Sequence, residues 1–198
     1  MSGKLIVISG PSGVGKSTVV KQVVDKLHNL HFSVSATTRP IRPGEVHGKN
    51  YYFVDLETFQ SMIEKEELLE YAQYVGNYYG TPEAPIDEAL ANGQDILLDI
   101  EVQGALNVKR RREDAVLIYM MAPSFAELEH RLSGRGDTAP EIVAERLQHA
   151  KWELSNAFQY DYLVINDHVE HAVEEITAII TAEKCRMKTR IHVLEEEL

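Results

Sequence analysis

The sequence predicts an α/β fold in which helices cover both faces of a parallel sheet. Four short apolar runs have the length and composition of buried strands: residues 4–9, 95–100, 115–120 and 162–165. Helical patterns stand between these runs, and apolar residues recur three and four positions apart after residue 16 and after residue 169. Strands that alternate with helices pair in parallel, because each helix carries the chain back to the starting edge of the sheet.

Two segments interrupt this alternation. The stretch between His31 and Gly93 is polar and rich in tyrosine, with short strand patterns (FSVS, YYF, LLEYAQY) and one clear helix at residues 56–65. It predicts an inserted small lobe, assigned to residues 36–93. Residues 124–157 are helical on both sides of SGRGDTAP, whose glycines and proline suggest a mobile lid. The core would then comprise residues 1–35, 94–123 and 158–198.

Composition limits the classes of partner. The 198 residues carry 20 Lys and Arg against 31 Asp and Glu, a net charge of -11, which argues against broad nucleic-acid binding. No apolar run is long enough to span a bilayer or to act as a signal peptide, so we expect a cytoplasmic protein without a membrane partner. The single cysteine, Cys185, excludes an internal disulfide and a cysteine metal cluster.

One basic run, KRRR at residues 109–112, admits two interpretations. It could be a nucleic-acid or targeting patch. It could also be the carboxyl end of a helix, where positive charge is favoured by the helix dipole. We favour the second.

The segment GPSGVGKST at residues 10–18 matches G-x-x-x-x-G-K-[ST] between a predicted strand and a predicted helix. Glycines let successive backbone N–H groups face phosphate oxygens, Lys16 adds charge at the β and γ phosphates, and Ser17 can bind Mg²⁺. The pattern therefore predicts a P-loop NTPase-type core that binds a nucleoside triphosphate, whether for a motor, a switch or a kinase. Its binding residues are predicted to be Gly10, Pro11, Ser12, Gly13, Val14, Gly15, Lys16, Ser17 and Thr18.

Further candidates lie in the lobe and at the end of the second core strand. Arg39 and Arg42 lie in a loop restrained by prolines, and guanidinium groups bind phosphate through paired hydrogen bonds. Asp99 ends the apolar strand DILLD and, with Ser17, is the predicted Mg²⁺ ligand. Asp99 and Glu101 are two residues apart, so their side chains should point to the same face.

Three patterns in the chain resemble guanylate kinase: S-x-T-T-R-x-x-R-x-G-E-x-x-G-x-x-Y-x-F, then G-N-Y-Y-G-T, then L-D-I-E-x-Q-G. The resemblance runs from ISGPSGVGKST through RGDTAPEIVAERL to VIND, almost the whole chain. It implies that the inserted mixed lobe binds GMP, with Mg·ATP as phosphoryl donor. The implied GMP-binding residues are Ser35, Arg39, Arg42, Glu45, Tyr51, Glu70, Tyr79, Thr81, Asp99 and Glu101. Thr81 and Glu101 stand where some members have serine and aspartate.

The resemblance also implies a division of roles. Arg39, Arg42, Tyr51 and Tyr79 would hold the GMP phosphate, and Ser35, Glu70, Thr81 and Glu101 would contact guanine. The helical lid would supply Arg135 and Arg146, and Asn166 would contact adenine. The catalytic residues are then Lys16, Arg39, Asp99, Arg135 and Arg146. Arg131 is a further candidate, and Arg146 could instead pair with Glu141 or Glu145 on a helix surface.

Three functions stay open at this point: an active guanylate kinase, a non-catalytic binding module that uses the old GMP site, and a kinase for another acceptor. Such modules typically lose the phosphate-loop lysine or the lid arginines, and both are present here. A kinase for an acceptor without guanine would not need all four of the base-contacting residues Ser35, Glu70, Thr81 and Glu101. The sequence does not decide between a monomer and a homo-oligomer.

Overall fold

A five-stranded parallel sheet forms the core of the computed structural model, which describes residues 2–74, 76–133 and 140–195. The parallel sheet predicted from the sequence is confirmed. In spatial order its strands are β2 (Leu30–Phe32), β7 (Asp95–Asp99), β1 (Leu5–Ser9), β8 (Val116–Met121) and β9 (Tyr162–Ile165).

Helices cover both faces of this sheet. Every residue of β1 is buried, and alternate residues contribute to opposite faces, as a strand's two-residue period requires. Ile6 and Ile8 pack with α1 (Lys16–Lys26) and α7 (Val169–Lys184). Leu5 and Val7 pack with α3 (Glu83–Ala91) and α4 (Val102–Arg111).

A second sheet forms the small lobe. It contains β3 (Ala36–Thr37), β4 (Tyr52–Phe53), β5 (Leu68–Tyr74) and β6 (Asn77–Pro82), in the order β4-β3-β6-β5. The β3–β4 pair is parallel and the others are antiparallel, so the sheet is mixed, as predicted. Helix α2 (Leu56–Glu64) covers it with Phe59, and the Asp55 carboxylate caps the helix by accepting a hydrogen bond from Thr58 N at 2.7 Å.

The structure differs from the sequence prediction in this region. The expected strand FSVS at residues 32–35 is not formed: only Phe32 lies in a strand, the end of β2 in the core sheet, and β3 of the lobe sheet begins after the run, at Ala36. The lobe range also contains a second helix, α3, which was not predicted. Ile86 and Leu90 of α3 pack against the core sheet.

The remaining helices include α5 (Phe125–Ser133) and α6 (Pro140–Asn156), on either side of the predicted lid tip. The helical pattern after residue 169 corresponds to α7, which ends at Lys184, and a separate helix, α8 (Met187–Glu195), follows it. Within residues 2–74, 76–133 and 140–195, no helix is long and apolar enough to cross a bilayer.

The basic run at residues 109–112 lies at the carboxyl end of α4, as predicted. Lys109 pairs with Asp161 at 3.0 Å, and Arg111 pairs with Glu83 at 2.8 Å. Arg111 also donates to the carbonyl oxygen of Leu68 at 2.8 Å. The run therefore connects the core helix to neighbouring elements of the same chain.

Candidate active site

The phosphate loop joins β1 to α1, and its glycines are needed for its close packing. A Cβ at Gly10 would lie 2.2 Å from the carbonyl oxygen of Met120, so no other residue fits there. Gly15 has φ +91°, a left-handed conformation that side chains disfavour, immediately before α1 begins at Lys16. The loop therefore ends at a helix amino terminus, which is suited to bind phosphate.

Lys16 and Asp99 meet at the centre of the site. Ile8 and Asp99 are register partners on adjacent parallel strands, so the aspartate lies beside the start of the phosphate loop. The Lys16 Nζ lies 3.2 Å from Asp99 Oδ1 and donates to the carbonyl oxygen of Gly10 at 3.2 Å. Both side chains are about four-fifths buried, at 18% and 20% exposure.

Ser17 lies in the first turn of α1, next to Lys16, and is exposed. A serine hydroxyl and an aspartate carboxylate are the oxygen ligands that Mg²⁺ prefers, with phosphate oxygens and water completing its shell. Among the described residues, no group of three or more His, Cys, Asp or Glu could hold a metal ion. The hydroxyl of Ser17 and the carboxylate of Asp99 are donors of the kind that magnesium binds.

A cleft of about 590 Å³ opens beside Asp99, between the core and the lobe. Its lining includes six of the ten residues predicted to bind GMP: Ser35, Tyr51, Glu70, Tyr79, Asp99 and Glu101. The sequence analysis did not single out Gln103 and Gly104, which also line it. Both lie in the L-D-I-E-x-Q-G pattern, which was the available signal.

Glu70 is a buried carboxyl group in the wall of this cleft, with 8% exposure. Residues 70 and 81 are register partners on β5 and β6, and the fully buried Thr81 hydroxyl donates to Glu70 Oε1 at 2.6 Å. Burial raises the pKa of Glu70, the Thr81 hydrogen bond lowers it, and the nearby Glu101 raises it; the net direction is upward. The predicted base-contacting residues Glu70 and Thr81 are thus hydrogen-bonded to each other.

Arg39 is held in place beside the cleft by the predicted GMP-binding residue Glu45. Its Nη2 and Nη1 donate to Glu45 Oε1 and Oε2 at 2.8 and 3.1 Å, a paired arrangement that restricts the guanidinium plane. The guanidinium carbon also lies 5.5 Å from the centre of the Tyr51 ring. Hydrogen bonding to Glu45 raises the pKa of Arg39, and hydrogen bonding to Tyr79 adds to the effect.

Arg42 is exposed, and neither Arg42 nor Arg39 is among the residues that line the cleft. Its backbone N–H donates to Glu45 Oε2 at 2.8 Å. The carboxylate of Glu45 therefore organises the loop as well as Arg39, and the hydrogen bond with Arg39 holds the pKa of Glu45 below its ordinary value.

Asn166 is hydrogen-bonded to the backbone of the phosphate loop. It is 3% exposed, and its Nδ2 donates to the carbonyl oxygen of Val14 at 2.7 Å. Arg131 of α5 reaches the same place: its Nη1 donates to the carbonyl oxygens of Asn166 and Val14 at 3.2 and 3.4 Å. The sequence analysis assigned Asn166 only to adenine and left Arg131 without a partner.

Of the two predicted lid arginines, Arg146 is half-buried on α6, and Arg135 lies outside the described residues. The predicted ion pair of Arg146 with Glu141 is not tested, because nothing is described of the Glu141 side chain. On the same helix, the buried Glu153 was not predicted to matter. Burial raises the pKa of its carboxyl group, which lies close enough to Lys16 for an electrostatic interaction.

The chain as a whole is similar to known proteins. The family model described as guanylate kinase matches residues 2–183. The guanylate kinase of Thermus thermophilus is 50% identical over 198 residues, which is 100% of this chain and 90% of that protein. The guanylate kinase of Halalkalibacterium halodurans is 52% identical over 189 residues, 96% of this chain and 93% of that protein.

A solved structure extends the similarity to three dimensions. The crystal structure of guanylate kinase from Anaplasma phagocytophilum aligns with a TM-score of 0.73 at 35% sequence identity. The alignment covers 93% of this chain and 88% of that chain.

Proposed function

The chain belongs to the guanylate kinase family, and from this premise we propose that it transfers the γ-phosphoryl group of ATP to the phosphate of GMP, giving ADP and GDP. One observation carries the proposal. The buried carboxyl of Glu70, hydrogen-bonded to Thr81, faces a cleft that adjoins Asp99 and the phosphate loop. A purine acceptor and a triphosphate can therefore bind next to each other.

Glu70 and Thr81 suit guanine by their hydrogen-bonding chemistry, with Ser35 and Glu101 as further contacts in the same site. Guanine presents two N–H donors side by side, at N1 and N2, and a carboxylate accepts both. Adenine has an acceptor at N1 and a donor at position 6, so it would leave buried acceptors without partners. Unpaired buried groups give stronger discrimination than a steric fit.

The GMP phosphate would be held by Arg39, Arg42, Tyr51 and Tyr79. The pairing of Arg39 with Glu45 supports a positioning role for Glu45, because it restricts the guanidinium before the substrate arrives. Arg42 is exposed and on the same loop, so a modest movement of that loop would bring it to the phosphate.

The phosphate loop, residues 10–18, would bind the triphosphate of ATP, and Lys16 would move its ammonium group from Asp99 to the β and γ phosphates. Magnesium, held through Ser17 and Asp99, supplies neutralisation of phosphate charge. Asn166 would act mainly through the loop, since its amide bonds to Val14. The turn that contains Asn166 would also contact the adenine of ATP.

The reaction needs no nucleophile from the protein, because the GMP phosphate attacks the γ phosphorus in line. Positioning and charge stabilisation therefore account for the catalysis. Arg135 and Arg146 of the lid would place positive charge near the moving group and exclude water, whose attack would hydrolyse ATP. We also propose that the enzyme works in the cytoplasm, in line with its single exposed cysteine.

The test measures ADP formation from Mg·ATP with GMP, AMP, CMP and UMP offered separately. We expect rapid turnover with GMP and background rates with the other three. Turnover with another acceptor would refute the base assignment. Binding of GMP without turnover would instead identify a binding module.

A further inference from the structure

Gly104 brings the backbone of a core helix against the carboxyl group of Glu70. It is the third residue of α4 and is buried. A Cβ built on it would lie 2.9 Å from Glu70 Oε2 and 3.3 Å from Glu70 Cδ. The same Cβ would be in van der Waals contact with Ile100 Cδ1, at 3.4 Å. A side chain at this position would displace the carboxylate.

The opposite side of the Glu70 carboxyl is fixed by Thr81. The Thr81 hydroxyl holds Oε1 at 2.6 Å, while Oε2 faces the first turn of α4. A displaced Glu70 would have to lengthen or lose this hydrogen bond, because Thr81 is fully buried in β6 and has little room to follow. The two contacts together set the position of both carboxylate oxygens.

We propose that Gly104 is a specificity-determining positioning residue, whose missing side chain lets the first turn of α4 hold the Glu70 carboxylate where it can pair with guanine. This inference rests on the proposed function, in which Glu70 accepts hydrogen bonds from GMP. It assigns a role to a residue that touches Glu70.

The substitution Gly104→Ala separates positioning from folding. Alanine is a better helix former than glycine, so the helix itself should not be weakened. We expect the KM for GMP to rise about tenfold, the loss of roughly one hydrogen bond, with kcat and the KM for ATP nearly unchanged. The preference for GMP over AMP in kcat/KM should fall by a similar factor. Thermal unfolding checks that the fold is intact.

Arg110→Ala is the matched control, since it also favours helix, lies on the same helix and is exposed. It should leave both KM values unchanged. A second test is rescue: Glu70→Asp withdraws the carboxylate by one methylene and makes room for the new methyl group. In the double variant Gly104→Ala/Glu70→Asp, the fold-increase in the KM for GMP over wild type should be well below the product of the fold-increases in the two single variants.

The outcomes distinguish this inference from the proposed function. If Glu70→Gln raises the KM for GMP but Gly104→Ala does not, Gly104 has no positioning role and Glu70 keeps its own. Strictly multiplicative effects in the double variant would also overturn the inference. If Glu70→Gln leaves the KM for GMP unchanged, the proposed base contact itself is wrong.

Discussion

Lys16, the first residue of α1, forms an ion pair with Asp99, the last residue of β7, with Nζ 3.2 Å from Oδ1. The lysine follows the phosphate loop and the aspartate ends β7, so the pair spans the point where the triphosphate and magnesium would bind. Asp99 holds Lys16 near its working position, and a bound triphosphate would release the carboxylate for the metal.

Asp99→Asn should reduce kcat strongly, because an amide is a weaker magnesium ligand and cannot neutralise Lys16. We expect a loss on the order of 10²–10³-fold at saturating substrates, with a higher magnesium requirement. A magnesium titration of the initial rate measures both. Asp25→Asn is the control, being the same change at an exposed position on α1. A kcat close to wild type at every magnesium concentration would contradict a metal-binding role.

Glu45→Gln should weaken GMP binding through Arg39. The substitution replaces a charged, two-oxygen acceptor with an amide that has one acceptor oxygen, so the guanidinium loses its fixed plane. We expect the KM for GMP to rise roughly threefold to tenfold with the KM for ATP unchanged.

The control for this change is Glu64→Gln, at an exposed position on α2 of the same lobe. Steady-state kinetics with each substrate varied give the comparison. A lower KM for GMP in Glu45→Gln would show that repulsion between Glu45 and the phosphate outweighs the orientation of Arg39.

The pKa of Glu70 predicts how GMP recognition depends on pH. Burial raises this pKa above its ordinary value, so the carboxyl becomes protonated at a higher pH than an exposed glutamate does. As the pH falls through the raised pKa, the ionised acceptor is lost and the KM for GMP should rise. Glu70→Gln cannot titrate, so its KM follows only the other groups.

The measurement is the ratio of the KM for GMP in wild type to that in Glu70→Gln across pH, which cancels titration of the GMP phosphate. This ratio should increase towards low pH. When the ratio is formed with Thr81→Val in place of wild type, its increase should begin at a higher pH. The reason is that the lost hydrogen bond from Thr81 had lowered the pKa of Glu70. A ratio that does not change with pH would mean that the ionised carboxylate is not needed.

Asn166→Ala should affect ATP more than GMP. The substitution removes the hydrogen bond from Nδ2 to Val14 and leaves a buried space beneath the phosphate loop. We expect the free energy of unfolding to fall by about 1–3 kcal/mol and the KM for ATP to rise more than the KM for GMP.

Asn29→Ala is the control, since Asn29 also donates to a backbone carbonyl oxygen, that of Gly93 at 2.8 Å, but lies away from the loop. Denaturant unfolding and steady-state kinetics test both variants. Equal increases in the two KM values for Asn166→Ala would indicate a general loss of structure rather than a local change in the loop.

Much of the fold was predictable because its signals are local. The buried strand, the glycine loop and the helix that follows are contiguous at residues 4–26, and the structure places them as expected. The boundary between the core sheet and the lobe sheet at residues 32–36 was not predicted. An alternating apolar pattern does not reveal that pairing in the core sheet stops at Phe32 and that pairing in the lobe sheet starts at Ala36. Helix α3 was missed because its burial depends on the core sheet, which lies elsewhere in the sequence.

The phosphate loop and the aspartate that ends a core strand could be identified without coordinates, and so could the side chains that we propose to bind guanine and phosphate. These are chemical properties of residue types at short spacing. Which of these groups are in contact became known only from the folded chain. The pairing of Glu70 with Thr81, of Arg39 with Glu45 in its folded loop, and the approach of Gly104 to Glu70 all depend on strand register and helix packing. Such contacts are set by the shape of the core, because it brings together residues far apart in the chain.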